Sequence, residues 1–575
     1  MTAHAENAHA AEPAAVVPVS PSAPVVTAAA FDPRTGAALV WLAEIEAAVG
    51  GGVLPVAGLA HAEDAQGAIP YDFAPAAGVE TIRVSDRGWR GREGDPGGAT
   101  PYPPVLSAGP DVERRVALAP GGEDTYAWGS LNLGQPGTIP GVALAGRDTA
   151  MRRVRIRAGQ RGWDTTRGRA TDPRAADLVD AFSGLAMTWR ADARGAIVPL
   201  RDPGAWLDAP ISTRRFLGTG GAEGTADMAG RPWPVVRGGS LAAPVRACPV
   251  VLVNATTRIY RWTDGAGTVV AVREDGATNY TPAGDVPDVH AASAPAAGSY
   301  ITSNATGEIR LGSDPVGQIT VDGIGGAGPT AVGVLRDMLV NKIGLPVELL
   351  NEGSFLGAAE AVPYAGGWAW AGDETGRAAI APLLAALGAR LVATRGGGLR
   401  LWPLRALPTG TAPVARFDRS SAVAIEPVDL PAPLSPPAAF WTVGYDRTHQ
   451  TTTTPKATVT AAERERLAQP WRTASWADAA NLTRYAQAGR PPLVETALLQ
   501  AIEATALATA LGALWGVPRT LWQVTAPAAS VLLREIGDPV QLVWPADGLR
   551  GGALGQVVGD GLRGGEATAS LLVLV

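Results

Sequence analysis

Gly and Pro interrupt this chain so often that long regular elements are excluded over most of its length. There are 71 Gly and 48 Pro among 575 residues, and both weaken helix and strand interiors while serving turns. From residue 79 to 160 only short apolar or β-branched runs survive: VETIRVSDRGW, YPPVLSAG, DVERRVAL, TYAWGSLNL and MRRVRIRAG. Runs of this kind, separated by Gly, Pro, Asp and Asn, predict the strands of a sandwich or barrel. Between about 210 and 328 the pattern returns in PVVLVNATTRIYRW, GTVVAVRED, GSYITS, GEIRLGS and GQITVDGIG, where IYRW and EIRL alternate as half-buried strands do.

Two segments earlier in the chain are harder to type. GAALVWLAEIEAAV (36–49) satisfies parts of both the helical and the strand period, and its propensity leans towards helix. DPRAADLVDAFSG (172–184) predicts a short helix, with Asp172 as cap and Pro173 in the first turn. The texture then changes at Pro329. TAVGVLRDMLVNKIG places Val334, Leu335, Met338 and Leu339 on one helical face and ends in Gly344, a natural residue to close a helix. RAAIAPLLAALG (377–388) predicts a second helix, leading into two strands joined at Gly396, Gly397 and Gly398. Beyond a Pro-rich connector at 427–440, WTVGY reads as a strand, and DAANLTRYAQAG and PLVETALLQAIEATALATALGALWG read as helices. Leu498, Ile502, Leu507, Leu511 and Leu514 are the buried candidates of the latter. RTLWQVTAP, VLLREIGDPVQLVWP, LGQVVGD and ASLLVLV close the chain as four strands, and DGLRGG, at 547–552 and 560–565, reads as two similar turns.

Composition narrows the function classes. A sequence of 575 residues predicts several cores. Its net charge of −6 argues against coating nucleic acid through an overall positive field, while leaving a local basic strip possible. Cys248 is the only cysteine, which excludes an intrachain disulfide and a Cys-rich metal site. His4, His9, His61, His290 and His449 show no metal-ligand spacing. No cofactor or metal is expected. No stretch approaches the roughly 20 apolar residues that cross a bilayer, and residues 1–30 lack the basic start and apolar run of a signal peptide.

Four features remain as candidate sites. GTGGAEGTADMAGRPWPVVRG (218–238) carries Gly218, Gly220, Gly221 and Gly224, but it has neither the G-x-G-x-x-G order nor the Lys of a phosphate loop, and Pro232 and Pro234 break any helix that begins there. A turn-rich crossover anchored by Trp233 is the alternative. In RRVRIR, Arg153, Arg155 and Arg157 alternate with Val154 and Ile156, so one strand face is guanidinium. That face either lines a channel or meets phosphate, or it is a solvated face or protein rim paired with nearby acids. Trp368 and Trp370 share one face if extended, as a sugar platform or as core packing. Glu44/Glu46 and Glu463/Glu465 are acid pairs of the type glycosidases use and also of the type solvated faces carry. G-x-S-x-G does not occur at Ser130 or Ser240.

Taken in order, WLAEIEA, VETIRVSDRGW, PYPPVL, TYAWGSLNL, RRVRIRAG, the 206–239 segment, RIYRW, GEIRLGSDPVGQITVDGIG and IGDPVQLVWPADGL resemble tail-tip or baseplate hub proteins of long-tailed bacteriophages, in particular the tail proteins of alphaproteobacterial siphophages and prophages. GRPWPVVRGG and the 307–325 run are the most telling. The resemblance covers most of residues 31–575. It implies a multidomain, mainly β chain with α+β modules and tube-like β-barrel domains. The implied units are an Ala/Pro-rich extension at 1–30, a first β-rich domain at 31–215 with an inserted loop near 50–76, a second at 216–328, an α+β domain at 329–426, and a connector, helices and barrel segment at 427–575. It also implies that WLAEIEA is a strand and that the glycine stretch connects domains.

The function so implied is mechanical and non-enzymatic. Such hubs form a homotrimer that caps the tail tube, hold spike or fibre proteins and form part of the DNA-ejection conduit. The implied partners are therefore further copies of the chain, a distal tail or tail tube protein, a tape measure protein, central spike or tail fibre proteins, phage DNA in transit and the host surface. The implied location is the virion tail tip after assembly in host cytoplasm. The arginine strand and the Trp-rich edges would then serve interfaces or the conduit. A receptor- or carbohydrate-binding tail protein using Trp368 and Trp370, and a wall-degrading enzyme using Glu44 or Glu46, are the other readings.

Overall fold

The computed structural model describes residues 39–49, 78–95, 98–134, 144–191, 195–211, 213–485 and 487–575. The extension at 1–30, the expected insertion near 50–76, and His4, His9 and His61 lie outside these residues. The chain is mainly β, built from several sheets with helices packed among them.

The first of two eight-stranded sheets runs in the order Arg190–Ala191, Gly195–Arg201, Val179–Ala186, Arg152–Gln160, Leu39–Val49, Val79–Ser85, with Ser130–Gly134 and Arg147–Asp148 attached to it. Leu39–Val49 is a strand, against its local helix propensity. It has an antiparallel partner along each edge, from Leu42 to Ala48 on one side and Leu39 to Ile45 on the other, and those ladders outweigh a propensity difference of a few tenths of a kcal/mol per residue. Ala43, Ile45 and Ala47 are fully buried on its inner face.

The helix expected at 172–184 does not form. A short 3-10 turn, Ala175–Asp177, is followed directly by the strand Val179–Ala186. Tertiary pairing decides it, because this segment fills the slot beside Arg152–Gln160. A bulge between Asp180 and Phe182 shifts the register by one residue, which turns Phe182 into the core beside Ile156.

Residues 245–325 form a smaller β module of two sheets. One contains Val245–Pro249, Ile319–Gly325 and Gly267–Glu274; the other runs Val251–Asn254, Ile259–Arg261, Glu308–Leu311, Ser299–Ser303, Thr281–Asp285. Their core gathers Val236, Cys248, Trp262, Val272, Ile309 and Val321. The α+β module follows. Thr330 caps the helix Ala331–Asp337 by accepting from Gly333 N–H, and Thr375 caps Gly376–Leu387 by accepting from Ala378 N–H. The Gly396–Gly398 turn joins Ala389–Ala393 to Leu399–Pro403 as expected, with Gly397 at φ +90°.

The second eight-stranded sheet has the order Ala415–Phe417, Pro539–Leu542, Ala553–Leu562, Thr568–Leu574, Leu521–Pro527, Ala424–Val428. Its two terminal strands are separated in sequence only by residues 418–423, which turn back through Ala422 N–H to Asp418 O at 2.8 Å. Six flat strands would hold those ends about 24 Å apart, so the sheet is rolled towards a barrel. VLLREI contributes no strand here, because Ala528–Leu532 is a short helix. The second DGLRGG is only partly a turn: Asp560–Leu562 completes the strand Ala553–Leu562. Helix Ala501–Trp515 begins later than the sequence suggests and packs on the sheet Phe440–Tyr445, Arg472–Ala477, Val494–Glu495. Ile502, expected inside, is 75% exposed, whereas Leu507 and Leu514 are buried. A Cβ on Gly512 would lie 2.3 Å from the Trp476 ring, so the indole rests directly on helix backbone.

Val112–Arg115 leaves the N-terminal part of the chain and pairs with Ala553–Leu562 in this second sheet. From that strand, the fully buried Arg114 donates to Asp560 through Nε (3.2 Å) and Nη2 (2.5 Å), to Glu535 (2.7 Å) and to the Ala393 carbonyl (2.9 Å). Arg395 adds a 2.8 Å bond to Asp560. Burial by itself raises the Asp560 pKa, but Arg114 and Arg395 hold it below the usual carboxylate range. Arg114→Ala would leave Asp560 without its main counter-charge and is expected to cost about 3–5 kcal/mol, read as a fall in the urea midpoint. Arg416→Ala, which breaks the exposed pair with Asp418, is the comparison and should change stability by about 0–1 kcal/mol.

Candidate functional site

Arg153, Arg155 and Arg157 lie on one face of the strand Arg152–Gln160, and Val154, Ile156 and Ala158 are buried on the other. The strand is central in its sheet, so its guanidiniums meet side chains from both neighbours. Arg155 grips Asp180 with two bonds, Nε to Oδ1 at 2.7 Å and Nη2 to Oδ2 at 3.2 Å. Glu44 receives Arg157 Nη2 at 3.4 Å, has Arg83 Nε at 3.8 Å, and accepts the Tyr102 hydroxyl. Burial, reinforced by the Glu44 carboxylate, pushes the Tyr102 pKa up to about 12. The arrangement is a ladder of opposite charges across strands, in which Arg155 and Arg157 are committed to acids of their own sheet. Arg153 is exposed. Glu44 therefore belongs to the ladder, while Glu46 faces Thr81 in the register.

The glycine stretch folds on itself. Gly218, Gly220, Gly221 and Gly224 have φ of +71°, +94°, +60° and +70°, a region that other residues enter at a cost. Gly218 N–H is spent on Glu223 O at 2.9 Å and Gly220 N–H on Gly224 O at 2.7 Å, while Leu217 N–H bonds the Glu223 carboxylate at 3.1 Å. These donors close the loop internally instead of pointing into a phosphate cradle. Trp233 anchors it: 4% exposed, it lies beside Phe216 and carries the Arg261 guanidinium 3.3 Å and the Arg214 guanidinium 4.3 Å from its ring centre. The chain then enters the strand Val235–Gly238.

That strand pairs with Gly367–Trp370, setting Arg237 opposite Trp368 and Val235 opposite Trp370. The register thus brings the end of the glycine stretch and the tryptophan pair together; the arginine strand belongs to a different sheet. Trp368 and Trp370 are 9% and 2% exposed, so neither presents a face to a sugar, and as core residues they correct the platform expectation. Trp370 donates to Ala379 O at 3.1 Å. Trp368 meets His449 edge-on at 5.0 Å and Trp471 at 5.7 Å, with Arg447 4.5 Å above its ring. His449 Nε2 accepts Ala369 N–H at 3.3 Å. Burial, and next the Arg447 charge, lower the His449 pKa to about 3.

Several ionic joints escaped sequence reasoning. Arg237 bonds Asp337 at 3.0 Å and pairs with Asp264 at 2.9 Å, and Lys342 also reaches Asp264. Asp322 takes Arg246 at 3.1 Å and Arg273 at 2.8 Å; Arg273 and Arg466 share Glu463, and Arg466 continues to Asp446 at 3.2 Å. These joints tie the 245–325 module to helix Ala331–Asp337 with its continuation and to the 446–466 segment. Of their members only Glu463 stood out in the sequence, as one of an acid pair; the partners are remote in sequence.

Trp368→Ala is expected to cost about 3–5 kcal/mol, measured as a lowered urea midpoint, because it empties a core site; Arg153→Ala should stay within about 0.5 kcal/mol. His449 gives a pH signature. Its folded pKa lies below the unfolded value of about 6.5, so the unfolded state takes up the proton first and the stability contribution, complete above about pH 6.5, falls as pH drops towards 3. His449→Gln should flatten the melting temperature against pH across that window.

No family model matches the chain, and no curated protein matches it in sequence. Among solved structures it is similar to the tail protein from Neisseria meningitidis MC58, at 10% identity over 82% of this chain and 95% of that one, with a TM-score of 0.33. A chain from the virion of a native gene transfer agent particle shows 13% identity over 60% of this chain and 84% of its own, with a TM-score of 0.36. The 43 kDa tail protein of prophage MuSo2 from Shewanella oneidensis shows 9% identity over 81% and 98%, with a TM-score of 0.28.

Proposed function

We propose that this chain is a structural tail protein of a phage-type particle and serves as the tail-tip hub that closes the tail tube, anchors spike or fibre proteins and lines part of the DNA-ejection conduit. The observation that carries this reading is the presence of two eight-stranded sheets in one chain, the second rolled by the 418–423 turn. Two tube-like β units per chain are what the sequence resemblance to hub proteins implies, and three such chains present six units to a sixfold tube. The sheet faces fit the same role. The outer face of the first sheet carries charges of both signs, a pattern suited to protein contacts of fixed register. On this reading the units at 31–215, 216–328, 329–426 and 427–575 are the working parts of a homotrimer, with the glycine stretch as the connection between the first two. Distal tail or tube protein, tape measure protein and central spike or fibre proteins are the neighbours.

Cryo-EM of the particle that carries this protein, imposing no symmetry beyond threefold at the tail end, tests the assignment. Three copies closing the tube through their two sheets are expected. Copies along the shaft, or at the periphery away from the tube axis, would overturn it.

A further inference from the structure

A cavity of about 760 Å³ opens beside helices Gly376–Leu387 and Ala501–Trp515. Leu118, Leu207, Ile380, Leu384, Leu507 and Leu511 supply the apolar part of its wall, and polar side chains supply the rest. Asp124, Tyr126 and Asp202 are among its polar lining residues, and among the described residues the buried Tyr126 hydroxyl has no hydrogen-bond partner, a rare condition for a buried polar group. Asp124 accepts from Ala117 N–H at 2.8 Å and Asp202 from Gly204 N–H at 3.1 Å, with the Trp128 indole near Asp202. Burial raises the pKa of both carboxyls.

The surrounding arginines direct their hydrogen bonds elsewhere, although the charges of Arg390 and Arg377 partly offset the burial of Asp124, and that of Arg377 the burial of Asp202. Arg377 bonds Asp208 at 2.7 Å and the Gly204 carbonyl at 3.0 Å, and Arg201 also pairs with Asp208. Arg390 is spent on the carbonyls of Gly122 (2.9 Å) and Ala119 (2.5 Å), and Glu123 at the rim is exposed. Two carboxyl groups raised by burial thus lie near the Tyr126 hydroxyl, each acting electrostatically on it, in the lining of the trough. An ammonium has three N–H donors in a compact head, one for each of these acceptors, whereas a guanidinium presents five in a planar fork.

We propose that this cavity binds a primary ammonium carried on an apolar stem, with the head among Asp124, Asp202 and Tyr126 and the stem along the leucine-lined walls. The assignment is independent of the hub reading. A free alkylamine and the lysine of an adjoining chain share this chemistry.

Calorimetric titration of the purified full-length protein with n-hexylammonium, n-hexanol and hexanoate tests it. Hexylammonium should bind at least about tenfold more tightly than hexanol, with hexanoate weakest. Asp124→Asn and Asp202→Asn should each weaken hexylammonium by about tenfold or more, and Tyr126→Phe should weaken it by a smaller factor. Leu511→Trp, which fills the trough and leaves the carboxyls in place, should block binding and guards against misfolding of the Asp variants. Equal affinity for hexanol and hexylammonium, or binding unchanged in folded Asp124→Asn and Leu511→Trp proteins, would overturn the proposal. In assembled particles, retained hexylammonium binding assigns the site to a free amine; loss of binding with carbodiimide cross-linking of Asp124 to a lysine of another chain assigns it to that side chain.

Discussion

A guanidinium with no exposure to water, Arg114, sets the terms for the rest of this fold. At low dielectric neither it nor Asp560 is tolerated alone, so the strand bearing Arg114, the strand bearing Asp560, the strand ending at Ala393 and the loop bearing Glu535 have to arrive at one place together. Apolar packing alone would allow those segments to slide, since Leu, Val and Ala contacts are interchangeable over short distances. The charge cluster fixes their register. Arg237 repeats the device at the base of the 245–325 module, where Asp264 and Asp337 meet it and Lys342 shares Asp264.

The same economy of charge governs the outer surfaces. A sheet whose central strand reads RRVRIR has the makings of a basic track, yet its neighbours supply Glu44 and Asp180 at matching positions. The result is a surface patterned by both signs, on which Arg155 and Arg157 are matched by acids of the same sheet. Such a face discriminates between partners by position and not by bulk attraction.

Local signals carried part of this architecture. Helix Gly376–Leu387 was readable because Thr375, the Ile380, Leu383 and Leu387 stripe, and Gly388 agree on one element with one beginning and one end. The Gly396–Gly398 turn was readable because nothing else suits that spacing. Leu39–Val49 and Val179–Ala186 were not readable locally. Both are buried against partners far away in sequence, which erases clean alternation and lets pairing override propensity. Ile502 misled because a helical apolar stripe was drawn from a start several residues too early. The glycine stretch could be recognised as lacking a phosphate motif, but Arg261 resting on Trp233 depends on a strand 28 residues downstream. Arg114 had no signal at all: VERRVAL looks like any half-exposed strand until Asp560 is placed beside it.

The distance between those two residues has a consequence in time. They are 446 positions apart, and ribosomes add about 5–20 residues per second. Val112–Arg115 therefore emerges and waits, on the order of tens of seconds, before the strand it pairs with has been made. Until then the nascent chain carries that strand with one edge open and with a charge destined for burial, and the second sheet is sealed only once Ala553–Leu562 has emerged. A product that stops short of Asp560 keeps an open edge and an arginine without its main counter-charge.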